Sequence, residues 1–341
     1  MAAAVCATAT AGAAALAQVS TPEPVPEAGP GAIAAAEPDE EVGSICGGRE
    51  ITIADMRWPS ATILAHIHSI ILFEELGCAA RIVSGDIAST GSSMATTQQP
   101  AIAPEMWIAR IPEIWNSATS AGSVRPVANT FLGGPMEGWF VPKFVADANP
   151  ELFEAEQLFG MREIFGGAGR SRFVSCPADW ACSVINRNLL KAFRLQVIFR
   201  AEEPADRFAL DQILAEAISR REPIVLYYWQ PNAAIARFGL KSLELGLFNP
   251  DAWPCLGTVD CPAPQQSSFP AEPVVIAVAQ WLVEEAPLVI DYLQQAIMPL
   301  DEMNRLLAEL NEGGGGPAAV ARHFYETRQD LWAGWVPDVL K

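Results

Sequence analysis

Basic side chains are scarce in this chain of 341 residues: Lys and Arg total 22 against 40 acidic residues, the formal net charge is −18, and no Lys or Arg precedes Arg49. A nucleic-acid partner requires a basic face, so that class is excluded. Long apolar runs are missing too. Half of the residues are hydrophobic, yet no uninterrupted run reaches the ~18 residues that span a bilayer, so a soluble mature protein is expected. Histidine is rare, with 3 in all, and no Cys-x-x-Cys spacing occurs, which argues against a zinc site; no metal and no cofactor are expected. The segments lack G-x-S-x-G, Walker and G-x-G-x-x-G patterns, so no nucleophile elbow and no nucleotide cradle is visible. His66 and His68 lie in a predicted helix with no catalytic partner in view, and their default role is structural.

What is present begins with residues 1–17, MAAAVCATATAGAAALA, a small-residue apolar stretch ending in Ala15-Leu16-Ala17. It reads as the hydrophobic region and A-x-A-type cleavage site of a secretory signal peptide, without the usual positive start. Either the true start lies upstream or the signal is atypical. Cys6 follows Val5 and lacks the context of a lipoprotein anchor. Residues 18–45, rich in Pro, Ala and Glu without apolar periodicity, read as a disordered leader. An exported, periplasmic protein is the expectation. Cysteine usage agrees with it. Beyond Cys6, the cysteines Cys46, Cys78, Cys176, Cys182, Cys255 and Cys261 make an even number suited to disulfides in an oxidising compartment. CPADWAC and CLGTVDC share one spacing and suggest local staples, Cys176 with Cys182 and Cys255 with Cys261. Cys46 and Cys78 each precede a predicted strand, and neighbouring parallel strands would bring them together.

Tryptophan carries the strongest signal. Trp58 (IADMRWPSA), Trp107 (AIAPEMWIA), Trp180 (CPADWAC) and Trp229 (IVLYYWQPN) each stand just after a strand-like apolar run. Indole faces carry a negative quadrupole, and several arranged as a cage hold a cation that cannot be hydrogen-bonded, such as a quaternary ammonium. Packing within a core is the competing reading for any one of them. Strand-like segments (49–55, 80–86, 101–105, 173–175, 195–199, 223–229) alternate with helical ones, opened in one case by Pro59, which predicts an α/β fold with parallel sheets. The middle of the chain reads as a second α/β lobe inserted into the first. Residues 46–145 and 265–341 are assigned to lobe 1 and 146–264 to lobe 2. All four indoles fall at carboxyl ends of strands, where a cleft ligand of such folds binds.

These segments, with EGWFVPKFVADANPEL and CPADWACSVINRNLLKAF, resemble the substrate-binding proteins of ABC importers for glycine betaine, proline betaine and related quaternary ammonium compounds. The likeness runs from Arg49 to the C-terminus. It implies a two-lobed periplasmic binding protein, type II-like, with a hinge and an interlobe ligand cleft, which delivers its ligand to an ABC permease and ATPase complex. By motif, Trp107, Trp180 and Trp229 match the family's cage for a trimethylammonium head, and Trp58 completes a four-walled box. The backbone amides of Ala181 and Cys182 match the carboxylate-binding position. One departure stands out: a better-known member has His four residues after the first cage Trp, and here that position is Ile111.

Glu105 precedes Trp107 at a strand end and reads either as a polar contact for a choline hydroxyl or an amine N-oxide, or as a solvated strand terminus. Glu137, beside Trp139, faces the same choice. Trp139, Trp253, Trp281, Trp332 and Trp335 read as packing. The expected function is capture of a small cationic or zwitterionic osmolyte by a monomer that is not an enzyme. Trimethylamine N-oxide or choline is the alternative ligand, and an exported enzyme on the same scaffold is the remaining alternative.

Overall fold

In the computed structural model, which describes residues 45–340 apart from 135, 167–168 and 314, two five-stranded sheets organise the chain. The expected signal peptide (1–17) and all but the last residue of the expected leader lie outside the described residues.

The first sheet begins with β1 (Ile51–Asp55), β2 (Ala80–Ser84), β3 (Ile102–Trp107) and β4 (Val124–Asn129), joined by α1 (Pro59–Glu74), α2 (Ile87–Thr97) and α3 (Pro112–Ser120). Past a short strand β5 (Phe131–Leu132), the chain enters the second sheet. That sheet comprises β6 (Glu137–Val141), β7 (Ser171–Val174), β8 (Phe199–Glu202), β9 (Val225–Trp229) and β10 (Lys241–Leu243). Its helices are α4 (Lys143–Ala148), α5 (Ala181–Ala192), α6 (Arg207–Ser219), α7 (Ala233–Phe238) and α8 (Trp253–Leu256). The chain returns as β11 (Val274–Ala279) and continues through α9 (Gln280–Glu285), α10 (Pro287–Gln295), β12 (Met298–Pro299), α11 (Leu300–Asn311), α12 (Pro317–Thr327) and α13 (Gln329–Trp332).

Local chemistry sets these elements. Strands β3 and β11 are buried along their whole length, and VVIAVA is the continuous β-branched run that a strand covered on both faces requires. Helix α1 starts on Pro59, whose fixed φ suits the first helical position. It is apolar on most sides because it lies between the sheet and α12, burying Ile63, Leu64, Ile67 and Ile71. Each sheet has its own core. One gathers Ile53, Ile102, Val278, Leu293 and Phe324; the other gathers Trp139, Phe173, Leu189 and Val225.

Both sheets are mixed rather than parallel. Their orders are β2-β1-β3-β11-β4 and β10-β6-β9-β7-β8, with β11 antiparallel to β3 and β6 antiparallel to β9. The crossing between sheets explains it. Parallel strands of each sheet run toward the cleft, so a strand arriving from the other sheet enters at the cleft end and must run away from it. The register agrees: the first residue of β11, Val274, faces Trp107 at the end of β3, and the first residue of β6, Glu137, faces Trp229 at the end of β9. The first crossing lies between Leu132 and Glu137, so a boundary at 145 falls inside α4, whose Val145 is buried in the second core. The segment 195–199 is not one strand: Leu195–Val197 form a 3-10 turn and the strand starts at Phe199. A short apolar run does not distinguish the two by pattern.

Helix α11 ties the two parts together. Asn304 donates from Nδ2 to Gln230 Oε1 at 2.7 Å and accepts from the Asn232 N–H at 2.7 Å. Disulfides join Cys46 to Cys78, Cys176 to Cys182 and Cys255 to Cys261. The second brackets the β7–α5 loop that carries Trp180.

Candidate ligand-binding cleft

Each sheet presents one indole at a helix N-cap and one at the end of a strand. Trp58 caps α1 and Trp180 caps α5, while Trp107 ends β3 and Trp229 ends β9. The turn before Trp58 is held by Asp55, whose Oδ1 accepts from the Arg57 N–H at 2.9 Å. Arg57 adopts φ 65°, a left-handed conformation that costs a non-glycine residue roughly 1–2 kcal/mol. Its side chain lines neither cavity described next.

Two cavities share a wall. The smaller, of about 280 Å³, is lined by Trp58, Glu105, Trp107, Arg110, Arg207 and Trp229 among others. The larger, of about 600 Å³, is lined by Trp107, Trp180, Ala181, Cys182, Glu137 and Trp229 among others. Trp107, Arg110, Trp229 and Gln230 border both. A still larger cavity of about 810 Å³ lies between crossing segments, along Phe131, Met136 and Pro270, and none of the four indoles borders it. Size alone would have pointed there. The chemistry does not.

Glu105 organises the first sheet's half. Its Oε1 accepts from Trp58 Nε1 at 2.8 Å, Trp107 Nε1 at 3.0 Å and Ser60 Oγ at 3.0 Å. The residue is 1% exposed, and its Oε2 has no hydrogen-bond partner among the described residues. Burial raises its pKa to about 7, opposed by the hydrogen bonds from Ser60, Trp107 and Trp58 and by the charge of Arg110. Of the two sequence readings, the solvated terminus is therefore wrong: Glu105 is buried at the cleft and holds both indoles by their N–H groups.

The second sheet's half is held differently. Trp180 and Trp229 pack edge to face, with ring centroids 5.5 Å apart. Trp229 also stacks on Tyr228 at 4.7 Å, and the Tyr228 hydroxyl donates to Asp211. Ala181 and Cys182 open α5, where first-turn N–H groups have no intrahelical acceptor. Glu137 accepts from the Tyr227 hydroxyl at 2.7 Å, and burial raises its pKa. Trp139 is fully buried and donates to Asn186 Oδ1 at 2.8 Å, away from the cage. Trp253 packs against Phe248 and Phe269 but also borders the larger cavity, a position its loop sequence did not reveal.

Ile111, the departure noted in the sequence, is 5% exposed and packs with Met94 and Met106 beneath the cleft. Its neighbour Arg110 borders both cavities instead, with Cζ 4.3 Å from the Trp107 ring centroid. Arg207, at the start of α6, lies 5.7 Å from the Trp229 ring centroid. Sequence reasoning missed both arginines. Arg110 stands one position before Ile111, outside the motif, and Arg207 lies on a helix that nothing local ties to a cage. Among the described residues no group of three or more His, Cys, Asp or Glu could hold a metal ion, and no helix is long and apolar enough to cross a membrane.

Two α/β lobes connected by crossing strands, with aromatic residues gathered at the strand ends, define a binding-protein scaffold. Residues 49–327 match the substrate binding domain of ABC-type glycine betaine transport systems, and the chain belongs to that family. It is a family of transporter binding components, not enzymes, which sets aside the exported-enzyme alternative. No curated protein sequence matches the chain. Among solved structures, a glycine betaine/carnitine/choline ABC transporter protein is similar at 12% identity with TM-score 0.56, covering 83% of this chain and 99% of that one. Apo YehZ from Escherichia coli is similar at 14% identity with TM-score 0.56, covering 84% and 99%. At such identities the likeness establishes the shared fold.

Proposed function

We propose that this protein is the exported, periplasmic and monomeric binding component of an ABC importer, and that its cleft captures a small quaternary ammonium osmolyte of the glycine betaine kind. The observation that carries the reading is the arrangement of four indoles, two from each sheet, around cavities that share the Trp107–Trp229 wall. Three or four well-placed rings at ~0.5–2 kcal/mol each, with desolvation of the cage, suffice for micromolar affinity, which is about −8 kcal/mol. The amides of Ala181 and Cys182 are suited to a polar group of the ligand.

Choline or trimethylamine N-oxide is the second reading. It is favoured by Glu105, whose buried Oε2 has no hydrogen-bond partner among the described residues and stands ready for a hydroxyl or a positive charge. Calorimetric titration with glycine betaine, proline betaine, choline, carnitine and trimethylamine N-oxide tests both. At least one of these compounds should bind with micromolar affinity or better. Failure of all five would remove the quaternary ammonium reading.

A further inference from the structure

We propose that Asn304 is a positioning residue for the cleft: from the first lobe it grips the β9–α7 turn of the second, and so keeps the Trp229–Gln230 wall in register with Trp58 and Trp107 as the cleft closes. Asn304 lies on α11, is 1% exposed and borders neither cavity that carries the indoles. Both of its side-chain hydrogen bonds nonetheless reach the second lobe. Nδ2 donates to Gln230 Oε1 at 2.7 Å, and Oδ1 accepts from the Asn232 N–H at 2.7 Å. Gln230 follows Trp229 directly and borders both cavities. A side chain outside the ligand space thus holds part of its wall, whichever quaternary ammonium compound is bound.

The surroundings make the grip stiff. Gln230 and Asn232 are themselves buried, so water competes little for these bonds. The Gln230 N–H donates to the Met136 carbonyl at 2.7 Å, within the first crossing between the lobes. Gly134 of that crossing passes so close that a β-carbon there would stand 3.1 Å from Gln230 Nε2, and its φ of 74° suits glycine. Asn232 in turn caps α7, where its Oδ1 accepts from the Ala234 N–H at 3.1 Å. Helix α7 faces both ways. Ala233 is buried in the core that holds Leu300 and Met303 of α11, while Ala234 and Ile235 are buried with Leu226 and Tyr228 of β9.

Two chain crossings alone leave a pair of lobes free to twist as well as to bend. A buried third tie beside the first crossing removes the twist. Next to a crossing it moves little when the lobes bend, so it stays made in open and closed arrangements. The indoles of the two sheets then meet in the same register each time the cleft closes. Without the grip, only a fraction of closures would bring them into register, and apparent affinity falls by that fraction. Truncation at position 304 also strips the buried Asn232 amide of its acceptor, which costs stability. A control must therefore lose stability without touching alignment.

Asn188 supplies that control. It is buried, and its Nδ2 donates to the Leu256 and Thr258 carbonyls at 3.0 and 2.8 Å, all within the second lobe. Wild type, Asn304→Ala, Asn304→Asp and Asn188→Ala are compared by calorimetric titration with glycine betaine and with choline, and by melting temperature. Pulsed dipolar spectroscopy without ligand, between spin labels on Ser92→Cys in α2 and Ala215→Cys in α6, both exposed positions, reads the spread of interlobe distances. Both alanine variants should melt below wild type. Asn304→Ala should bind the probes roughly fivefold or more weakly and show a broader distance distribution, while Asn188→Ala stays within about twofold with an unchanged one. Asn304→Asp keeps the acceptor for Asn232 and can draw the amide end of Gln230, so it should fall between wild type and the alanine variant. Equal affinity losses in the two alanine variants overturn the assignment, because stability alone then explains them. Weaker binding with an unchanged distribution also overturns it, since the loss then runs through Gln230 by itself, and so does a broader distribution with undiminished affinity. If wild type binds neither probe nor any other quaternary ammonium compound, the ligand reading fails instead. The distance distribution then decides on Asn304 alone, and an unchanged one overturns its role.

Discussion

Trp58 and Trp107 on the first sheet and Trp180 and Trp229 on the second occupy matching places, yet different forces fix them. In the first sheet a single buried carboxylate oxygen takes both indole N–H groups, so the rings are oriented by polar contacts to Glu105. In the second, Trp180 leans edge-on against Trp229, Trp229 stacks on Tyr228, and the Cys176–Cys182 bridge brackets the loop. Topology alone delivers four residues to strand ends. What holds a ring at its angle is a separate choice, and the two halves have made it differently. The first half is therefore sensitive to protonation and the second to redox state.

The largest effect should come from the rings that both cavities share. Trp107→Ala and Trp229→Ala should each weaken ligand binding tenfold or more, since a cation–π contact in a dry site is worth up to ~2 kcal/mol. Trp58→Ala and Trp180→Ala, each bordering one cavity, should cost less than their partners on the same sheet. Calorimetry on the four variants ranks them, and a Trp58 or Trp180 loss exceeding that of the strand-end ring would break the pairing. Trp332→Ala serves as control. Trp332 stacks on Tyr325 and donates to its carbonyl at 2.7 Å, so its loss should cost ~3–5 kcal/mol of stability and leave ligand preference unchanged.

The alternation of strands and helices was readable because apolar runs and Pro59 mark elements locally. Strand direction was not. Whether VVIAVA runs parallel or antiparallel depends on where the chain re-enters the sheet, and no residue within the run records that. The four indoles were likewise legible, as rare residues at strand ends. The burial of Glu105 was not, because the donors that hold it, Trp58 and Ser60, lie 47 and 45 residues away. Arg207 was invisible for a similar reason: its partner Trp229 lies at the far end of the next strand, β9, beyond the whole of α6, and only the fold sets the ring under the guanidinium.

Protonation of Glu105 should tune the first half with a definite sign. Its folded pKa, about 7, stands above the ordinary 4.5, so the fold binds this proton more tightly than the unfolded chain does. Stability then falls as pH rises from about 4.5 through about 7, by roughly 3 kcal/mol in all. Glu105→Gln should abolish that slope and gain on wild type as pH rises, seen as a melting-temperature difference that widens between pH 5 and pH 8. Ligand affinity should move the other way. A positive head is better served by the ionised carboxylate, so wild-type binding should tighten several-fold from pH 6 to pH 8 while Glu105→Gln stays flat. A flat wild-type profile would mean that Glu105 orients indoles without sensing charge.

Removing the Cys176–Cys182 bridge should have the smallest effect on binding. The bridge closes a loop with sequence separation 6, for which chain entropy gives about 2 kcal/mol of stability. Trp180 and the opening of α5 at Ala181 and Cys182 depend on it, but α5 holds its own first turn and Trp180 keeps its edge contact with Trp229. Affinity in the Cys176→Ser, Cys182→Ser double variant should therefore fall about threefold, equivalent to ~0.6 kcal/mol. The Cys46–Cys78 bridge is the informative contrast. Its separation of 32 residues makes it worth about 4 kcal/mol in the same model, yet neither cysteine borders the cleft cavities. Its removal should lower the melting temperature more and the affinity not at all. If the two double variants instead lose affinity in the same order as they lose stability, the Cys176–Cys182 bridge acts on the whole fold and has no particular hold on Trp180.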